Sequence, residues 1–241
     1  MGTNVTGFPR FARGVLTTLL TPWTKVTSSG EENLPTSGGY LLIQNHISQV
    51  DPIVSCWWMA KRGVVVRYLS KSELFSVPVV GSIVRGMRLI PVYRKAADPS
   101  AVLATAREVL EAGDVVGIAP EGTLTKDPQG WPMRFKTGAA RLALDTRVPV
   151  IPLVQWGAQA MLPPKGAGKR PDVRPRRPVS IHIGEPVDLS DLYDRGSGDH
   201  EAVEEATRRM HRAVTEAVEM LRGKKAPAGV WDPRTGQREE R

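Results

Sequence analysis

The chain has 241 residues, of which 41% are hydrophobic and 24% are charged. This length fits one domain with terminal extensions, and the composition is that of a globular protein and excludes wholesale disorder. The single cysteine, Cys56, excludes a disulfide framework and an all-cysteine metal site, so we expect a reducing compartment. The four histidines lie far apart in the sequence without metal-ligand spacing, and we expect no metal.

The charge balance is basic, since 33 Lys+Arg minus 25 Asp+Glu gives a formal net charge of +8. Such a balance attracts anions and indicates nucleic acid, an anionic membrane surface or phosphorylated substrates as partners. The basic loop over 163–178 contains no Phe, Tyr or Trp, whereas nucleic-acid binding favours aromatic residues between basic ones. We therefore expect an anionic membrane surface and no nucleic acid.

An amphipathic pattern at helical spacing runs along the N-terminal residues, in which Pro22 would kink or end the helix. Its apolar stripe comprises Phe8, Phe11, Ala12, Val15, Leu16, Leu19, Trp23 and Val26. Such a stripe either lies in a bilayer interface or packs on the protein's own core, and the pattern leaves both open. We predict an amphipathic, membrane-associating helical segment over 1–30. No run of about 18 apolar residues indicates a spanning helix.

Strands and helices alternate through the rest of the chain. The predicted strands cover 40–44, 64–69, 89–94, 115–119, 148–154 and 179–183. The predicted helices run from 51 to 63, 71 to 85 with a break at Pro78, 98 to 113, 137 to 144 and 199 to 222. This alternation predicts an α/β domain over 31–222, with a mostly parallel central sheet flanked by helices. Residues 223–241 read as a polar, flexible tail.

A histidine and an aspartate follow the first predicted strand, in residues 45–51 (NHISQVD). Histidine suits proton removal near neutral pH, and a carboxylate on its other ring nitrogen fixes the tautomer. Residues five apart lie about 140° apart on a helix, so His46 and Asp51 pair only if His46 lies in a loop and Asp51 opens the helix. Pro52 at the first helical position favours that arrangement, while the alternative role for Asp51 is a helix N-cap alone.

A second carboxylate, Glu121, also follows a predicted strand, that over 115–119. In parallel sheets, ligands gather beyond the carboxyl ends of the strands. We therefore expect His46 and Glu121 to meet at one edge of the sheet.

The strongest resemblance lies in four short blocks. Residues 45–51 resemble the N-H-x-S-x-x-D signature of the glycerolipid acyltransferases of the lysophosphatidic acid acyltransferase (PlsC-like) family. Three more segments resemble the other blocks of that family and occur in the same order, namely 86–94 (GMRLIPVYR), 120–123 (PEGT) and 148–152 (VPVIP). Further recurrent segments are matched by 71–75 (KSELF) and 135–138 (FKTG). The resemblance covers roughly half the chain.

This resemblance implies an enzyme that moves a fatty acyl group from acyl-CoA or acyl-carrier protein to the sn-2 hydroxyl of 1-acyl-glycerol 3-phosphate, giving phosphatidic acid. It implies that His46 is the general base held by Asp51, without an acyl-enzyme and without a cofactor. We read Cys56 as a core residue, because its neighbours Trp57 and Trp58 are apolar. The implied location is the cytoplasmic face of the cell membrane, as a peripheral or monotopic protein.

The resemblance also implies the substrate-binding residues, which are Asn45, Ser48, Lys71, Arg94, Glu121, Gly122 and Thr123. Arg94 can bind a phosphate bidentately, with a solvated strand end as the alternative. Gly122 permits close approach of the backbone. Glu121 cannot bind phosphate by charge, so a glycerol hydroxyl or a basic side chain is its expected partner.

The sequence departs from the family pattern at Leu124 and Thr125, where the family has Arg-Ser. Thr125 can replace the serine, but Leu124 cannot replace a charge, and Lys126, Lys136 and Arg88 are the candidate substitutes for it. The acceptor therefore stays open among lysophosphatidic acid, glycerol 3-phosphate, a glycolipid and another lysophospholipid. The alternatives without catalysis are an anionic-membrane binder and a lipid sensor.

Overall fold

A seven-stranded sheet forms the centre of the computed structural model, which describes residues 10–93, 100–164 and 170–240 apart from the side chains of 10–13, 15, 19 and 100. Its strands are β1 (Thr24–Ser29), β2 (Tyr40–Gln44), β3 (Val66–Lys71), β4 (Ile90–Val92), β5 (Val115–Ile118), β6 (Val150–Trp156) and β7 (Arg177–Ile183). The spatial order is β1-β7-β6-β2-β5-β3-β4. Only the β6–β7 pair is antiparallel among these described strands, so the predicted α/β class with a mostly parallel sheet is confirmed.

Helices cover both faces of the sheet. They are α1 (Arg10–Trp23), α2 (Asp51–Ala60), α3 (Val80–Gly86), α4 (Ser100–Glu111), α5 (Gly138–Thr146), α6 (Ala158–Met161) and α7 (His200–Arg222). Successive residues of a strand point to opposite faces, so Leu41 and Ile43 of β2 pack with α4, α5 and α7, whereas Tyr40 and Leu42 pack with α1 and α2. Burial on both faces explains why the central strands are almost uniformly apolar.

The N-terminal stripe divides between a helix and a strand. Val26 lies in β1 and not in the predicted helix, because the chain becomes extended after Pro22 and pairs with β7. Leu16 of the stripe is buried with the tryptophans of α2, as is Leu20, which the predicted stripe did not include, so this part of α1 packs on the core. Phe8 lies outside the described residues, and association of the segment with a membrane stays a prediction. No helix within the described ranges is long and apolar enough to cross a membrane.

A β-hairpin occupies part of the predicted C-terminal tail. It consists of β8 (Val230–Asp232) and β9 (Gln237–Glu239), and the Arg134 amide donates to the Trp231 carbonyl at 2.9 Å. The buried carboxylate of Asp232 pairs with Arg134, and Arg238 pairs with Asp127. These polar residues find their partners in the distant 127–134 segment, so composition alone predicts a flexible tail. The predicted domain boundaries themselves stay a prediction.

Candidate active site

The histidine loop, residues 45–50, connects β2 to α2. The Oδ2 atom of Asp51 accepts the amides of Ile47 at 2.6 Å and Ser48 at 2.7 Å, and lies 3.1 Å from Nδ1 of His46. The predicted pair is therefore confirmed, with His46 in the loop and Asp51 as the first residue of α2. The N-cap alternative is wrong: Val50 occupies that position, and the Asp51 carboxylate bonds back to the loop and not to the helix amides.

The two partners differ in exposure. Asp51 is completely buried, whereas the His46 side chain is 19% exposed. Burial raises the pKa of Asp51, and the hydrogen bonds from His46, Ser48 and Ile47 partly offset this rise because they stabilise the ionised carboxylate. With Asp51 ionised, Nδ1 of His46 is the donor, which leaves Nε2 as the ring nitrogen that can accept a proton. Such an arrangement can act as a general base toward a group at the surface of the site.

Glu121 connects the histidine loop to a second segment. Its Oε1 accepts the His46 amide at 3.1 Å, and its Oε2 accepts the Met133 amide at 3.1 Å. The expectation that His46 and Glu121 meet at one edge is confirmed, because β2 and β5 are neighbours and end at the same level. Glu121 is buried and binds main-chain amides on both sides of the site. The sequence had instead indicated a glycerol hydroxyl or a basic side chain as its partner.

Replacing Glu121 with glutamine should change how stability depends on pH. Burial raises the pKa of Glu121 from 4.5 to about 8, against the opposing hydrogen bonds from Met133, His46 and Thr125. The folded protein therefore holds this proton more tightly than the unfolded chain, so Glu121's contribution to stability is complete below about pH 4.5 and is lost as the pH rises through 8. Glutamine does not titrate, and the variant should lose less free energy of unfolding over this interval.

Urea denaturation at several pH values between about 4.5 and 8 measures this effect. The exposed Glu111→Gln variant is the control and should keep the wild-type slope of stability against pH. An unchanged slope in Glu121→Gln would show that Glu121 does not titrate in this interval.

A buried polar network binds the main-chain carbonyl of Asp51, and this network was not predicted from the sequence. Gln155 Nε2 donates to the Asp51 carbonyl at 2.9 Å and to Ser55 Oγ at 3.0 Å, and Ser55 Oγ donates to Gln44 Oε1 at 2.8 Å. The Tyr68 hydroxyl also donates to Gln44. The available signal was a glutamine in each of two otherwise apolar, buried strands, β2 and β6.

Asn45 and Ser48 hold the histidine loop in place. The Asn45 side chain donates to the Gln155 carbonyl at 3.0 Å and accepts the Gln155 amide at 2.9 Å. Ser48 Oγ donates to the Leu162 carbonyl at 2.7 Å. Both side chains are buried, so the loop is anchored to β6 and to the end of α6. Contact of Asn45 or Ser48 with substrate stays a prediction.

Gly122 and Lys136 lie against each other beside the site. Gly122 has a φ of +71°, and a Cβ atom added there would lie 2.9 Å from both Cε and Nζ of Lys136. Of the candidate substitutes for the missing arginine, Lys136 is thus the one placed against the 120–123 block. Lys126 is exposed two residues beyond Leu124, and Arg88 is exposed two residues before β4.

The remaining predicted residues lie along the same edge or outside the described part. Lys71 is exposed at the carboxyl end of β3, and Thr123 is half-buried beside Gly122. Arg94 lies outside the described residues. Cys56 is buried and donates to the Val66 carbonyl at 3.6 Å, and its burial raises the pKa of the thiol. That setting agrees with the core position predicted for Cys56.

Comparison with known proteins adds independent observations. The family model described as Acyltransferase matches residues 25–156. The 1-acyl-sn-glycerol-3-phosphate acyltransferase of Bacillus subtilis (strain 168) is 27% identical over 186 residues, which are 76% of this chain and 84% of that protein. The chloroplastic 1-acyl-sn-glycerol-3-phosphate acyltransferase BAT2 of Brassica napus is 32% identical over 151 residues, and the match covers 61% of this chain and 42% of that protein.

A solved structure is also similar. The crystal structure of the 1-acyl-sn-glycerophosphate (LPA) acyltransferase PlsC from Thermotoga maritima gives a TM-score of 0.65 at 25% sequence identity, covering 92% of this chain and 81% of that chain. The family match runs from β1 to β6 and includes His46, Asp51 and Glu121. More than half of the sequence, together with the sheet and the histidine loop, therefore follows one family pattern: the chain belongs to the acyltransferase family.

Proposed function

We propose that this protein transfers a fatty acyl group from a thioester to the sn-2 hydroxyl of 1-acyl-glycerol 3-phosphate, giving phosphatidic acid. The observation that carries the proposal is the His46–Asp51 pair, joined at 3.1 Å, with its carboxylate buried and its imidazole partly exposed. The similarity to the 1-acyl-sn-glycerol-3-phosphate acyltransferase of Bacillus subtilis and to PlsC of Thermotoga maritima supports the choice of acceptor.

The proposed reaction passes through one tetrahedral intermediate. Nε2 of His46 takes the proton of the acceptor hydroxyl as the hydroxyl oxygen attacks the thioester carbonyl carbon and the new C–O bond forms. Collapse of the intermediate breaks the C–S bond, and the leaving thiolate receives the proton that the His46 imidazolium gives up, which regenerates the base. The ionised carboxylate of Asp51 stabilises the imidazolium that forms in between. The proposed chemistry needs no resident metal or cofactor, and the donor is acyl-CoA or acyl-carrier protein.

The loop around His46 is preorganised for this step. The Asp51 carboxylate accepts two loop amides, Glu121 accepts the His46 amide, and the Thr125 amide donates to the His46 carbonyl at 2.7 Å. These contacts fix the backbone on either side of the imidazole before substrate arrives. A base held this way avoids much of the entropic cost of orientation during the reaction.

The acceptor phosphate is proposed to bind beside Gly122, where Lys136 supplies the charge that Leu124 lacks. The Lys136 ammonium lies against the 120–123 block, which follows β5 at the same edge as His46. A lysine binds phosphate as a point charge, and Thr123 next to Gly122 can add a hydroxyl donor. Lys71 and Arg94 are further proposed contacts, because β3 and β4 also end at this edge.

The Lys136→Ala variant should bind the phosphate-bearing acceptor more weakly. Loss of a charge-assisted hydrogen bond from the exposed Lys136 side chain corresponds to roughly a tenfold fall in kcat/KM, mainly through a higher KM. Steady-state kinetics with lysophosphatidic acid measures it, and monoacylglycerol, which lacks the phosphate, should be used equally well by the variant and the wild type. The exposed Lys126→Ala variant is the matched control. A larger loss for Lys126→Ala than for Lys136→Ala would reassign the phosphate contact.

The proposed location is the cytoplasmic face of the cell membrane, as a peripheral or monotopic protein. The acceptor and product carry acyl chains and stay in a bilayer. The net charge of +8 favours an anionic surface. The N-terminal amphipathic segment over 1–30 is proposed to contribute to this association.

Thiol release from palmitoyl-CoA that depends on lysophosphatidic acid tests the proposed function. A panel with glycerol 3-phosphate, lysophosphatidylcholine and a glycolipid separates the acceptors, and acyl-carrier protein replaces the donor in a parallel series. Turnover with lysophosphatidic acid at the highest kcat/KM supports the proposal. A preference for another acceptor would retain the chemistry and reject the substrate. No thiol release with any donor–acceptor pair would favour a noncatalytic membrane binder.

A further inference from the structure

An exposed apolar ridge follows β3. Among the described residues, eight large hydrophobic side chains are exposed, and four of them fall within residues 74–80. We name these four the valine ridge: Leu74, Val77, Val79 and Val80. Val79 is 74% exposed. Single exposed apolar residues are ordinary on protein surfaces, whereas a contiguous patch indicates an interaction site.

The backbone holds the valine ridge outward. Val79 has φ 65° and ψ −56°, and the Val80 amide donates to the Pro78 carbonyl at 2.7 Å, which makes a γ-turn of the rare, strained kind. The Gly81 amide donates to the Val77 carbonyl at 2.7 Å and closes the turn. A β-branched residue rarely adopts a positive φ, and such strain persists only where the surroundings enforce it.

Contacts next to the turn show what enforces it. The Arg85 guanidinium donates to the Phe75 carbonyl at 2.6 Å, so α3 is tied back to the segment before the ridge. A Cβ atom at Gly81 would lie 2.3 Å from the same carbonyl oxygen, so only glycine allows this approach. The ridge is thus a preformed apolar surface, and little ordering is needed before it binds a partner.

The charge around the ridge is complementary to an anionic bilayer. Residues 71–93 contain three basic side chains, which are exposed, and a single acidic one, Glu73. The basic residues are Lys71, Arg85 and Arg88. Tyr93, at the end of β4, is also exposed, and tyrosine is enriched at membrane interfaces. Exposed apolar side chains in a segment with excess basic residues gain both burial in the lipid and attraction to its headgroups.

We propose that the valine ridge docks on an anionic lipid bilayer and presents the edge of the sheet that carries His46 to the membrane. The ridge follows Lys71 at the carboxyl end of β3, and β5 alone separates β3 from β2, which leads into the histidine loop. A lipid acceptor then reaches His46 from the bilayer on which the ridge rests. This last step rests on the proposed function, whereas the docking itself does not.

The Val77→Asp/Val79→Asp variant of the full chain tests the docking by flotation with vesicles of phosphatidylcholine and phosphatidylglycerol. Removing two apolar side chains and adding two negative charges should lower partitioning onto the vesicles by on the order of tenfold or more. The matched control is Val173→Asp/Met220→Asp, which makes the same charge change at side chains that are 78% and 71% exposed. Circular dichroism and Tm check that both double variants stay folded, which we expect because every altered side chain is at the surface.

Activity on two forms of the acceptor separates docking from chemistry. With a short-chain, water-soluble lysophosphatidic acid, all three proteins should turn over alike. With the acceptor embedded in vesicles, only the Val77→Asp/Val79→Asp variant should slow, and by about the same factor as its loss of partitioning.

Three outcomes decide the question. Equal flotation of the two double variants overturns the proposal. A wild-type dimer in light scattering that Val77→Asp/Val79→Asp dissociates also overturns it, because the ridge would then join two copies of the chain. Ridge-dependent flotation without turnover on either acceptor supports the docking and rejects the proposed function.

Discussion

Replacing His46 with alanine should lower kcat by about 10²–10⁴-fold, the range that a positioned general base contributes. The structure gives the reason, because His46 Nδ1 is occupied by Asp51 and Nε2 remains to take the hydroxyl proton. KM should change little, since the imidazole acts mainly in the transition state. The measurement is steady-state thiol release with lysophosphatidic acid and palmitoyl-CoA.

The control for this prediction is His200→Ala, which removes an exposed histidine at the start of α7 and should leave activity unchanged. We expect the His46→Ala variant to keep its fold, because Asp51 retains the amides of Ile47 and Ser48, and circular dichroism and Tm measure this. A folded His46→Ala enzyme with wild-type kcat would show that another group removes the proton.

Replacing Asp51 with asparagine should also lower kcat by on the order of 10²–10⁴-fold. The ionised Oδ2 accepts three donors, from His46 Nδ1 and from the amides of Ile47 and Ser48. An asparagine oxygen can accept some of these bonds, but it carries no charge to stabilise the imidazolium. An asparagine NH₂ group turned toward the same place would face other donors and favour the wrong imidazole tautomer.

Kinetics of single and double variants distinguish this role from a purely structural one. If His46 and Asp51 act as a unit, the double variant should lose no more kcat than His46→Ala alone. The control is Asp194→Asn, at a side chain that is almost fully exposed. Two results would contradict the assigned role. One is an Asp51→Asn variant that is less stable but whose folded fraction keeps the wild-type kcat, and the other is full activity in Asp51→Asn.

Much of the fold could be predicted, because hydrophobic periodicity and strand–helix alternation are local properties. The strand over Tyr40–Gln44 was predicted with the bounds that the structure has. The chain's return to an extended strand after Pro22 was missed, since Val26 fits a helical stripe equally well and only pairing with β7 makes it a strand. The hairpin at Val230–Asp232 was missed for a similar reason, because its polar residues gain their partners from the distant 127–134 segment.

The sequence by itself determined the family pattern and the mostly parallel sheet, and through Pro52 and the five-residue spacing it favoured the pairing of His46 with Asp51 over an N-cap role alone. Only the tertiary structure decided that Glu121 bonds the His46 main chain and that Lys136 lies against Gly122. Those contacts join residues brought together by the order of strands in the sheet. Distance along the chain carries no information about such contacts, and burial and hydrogen bonding become visible only when the strands are in register.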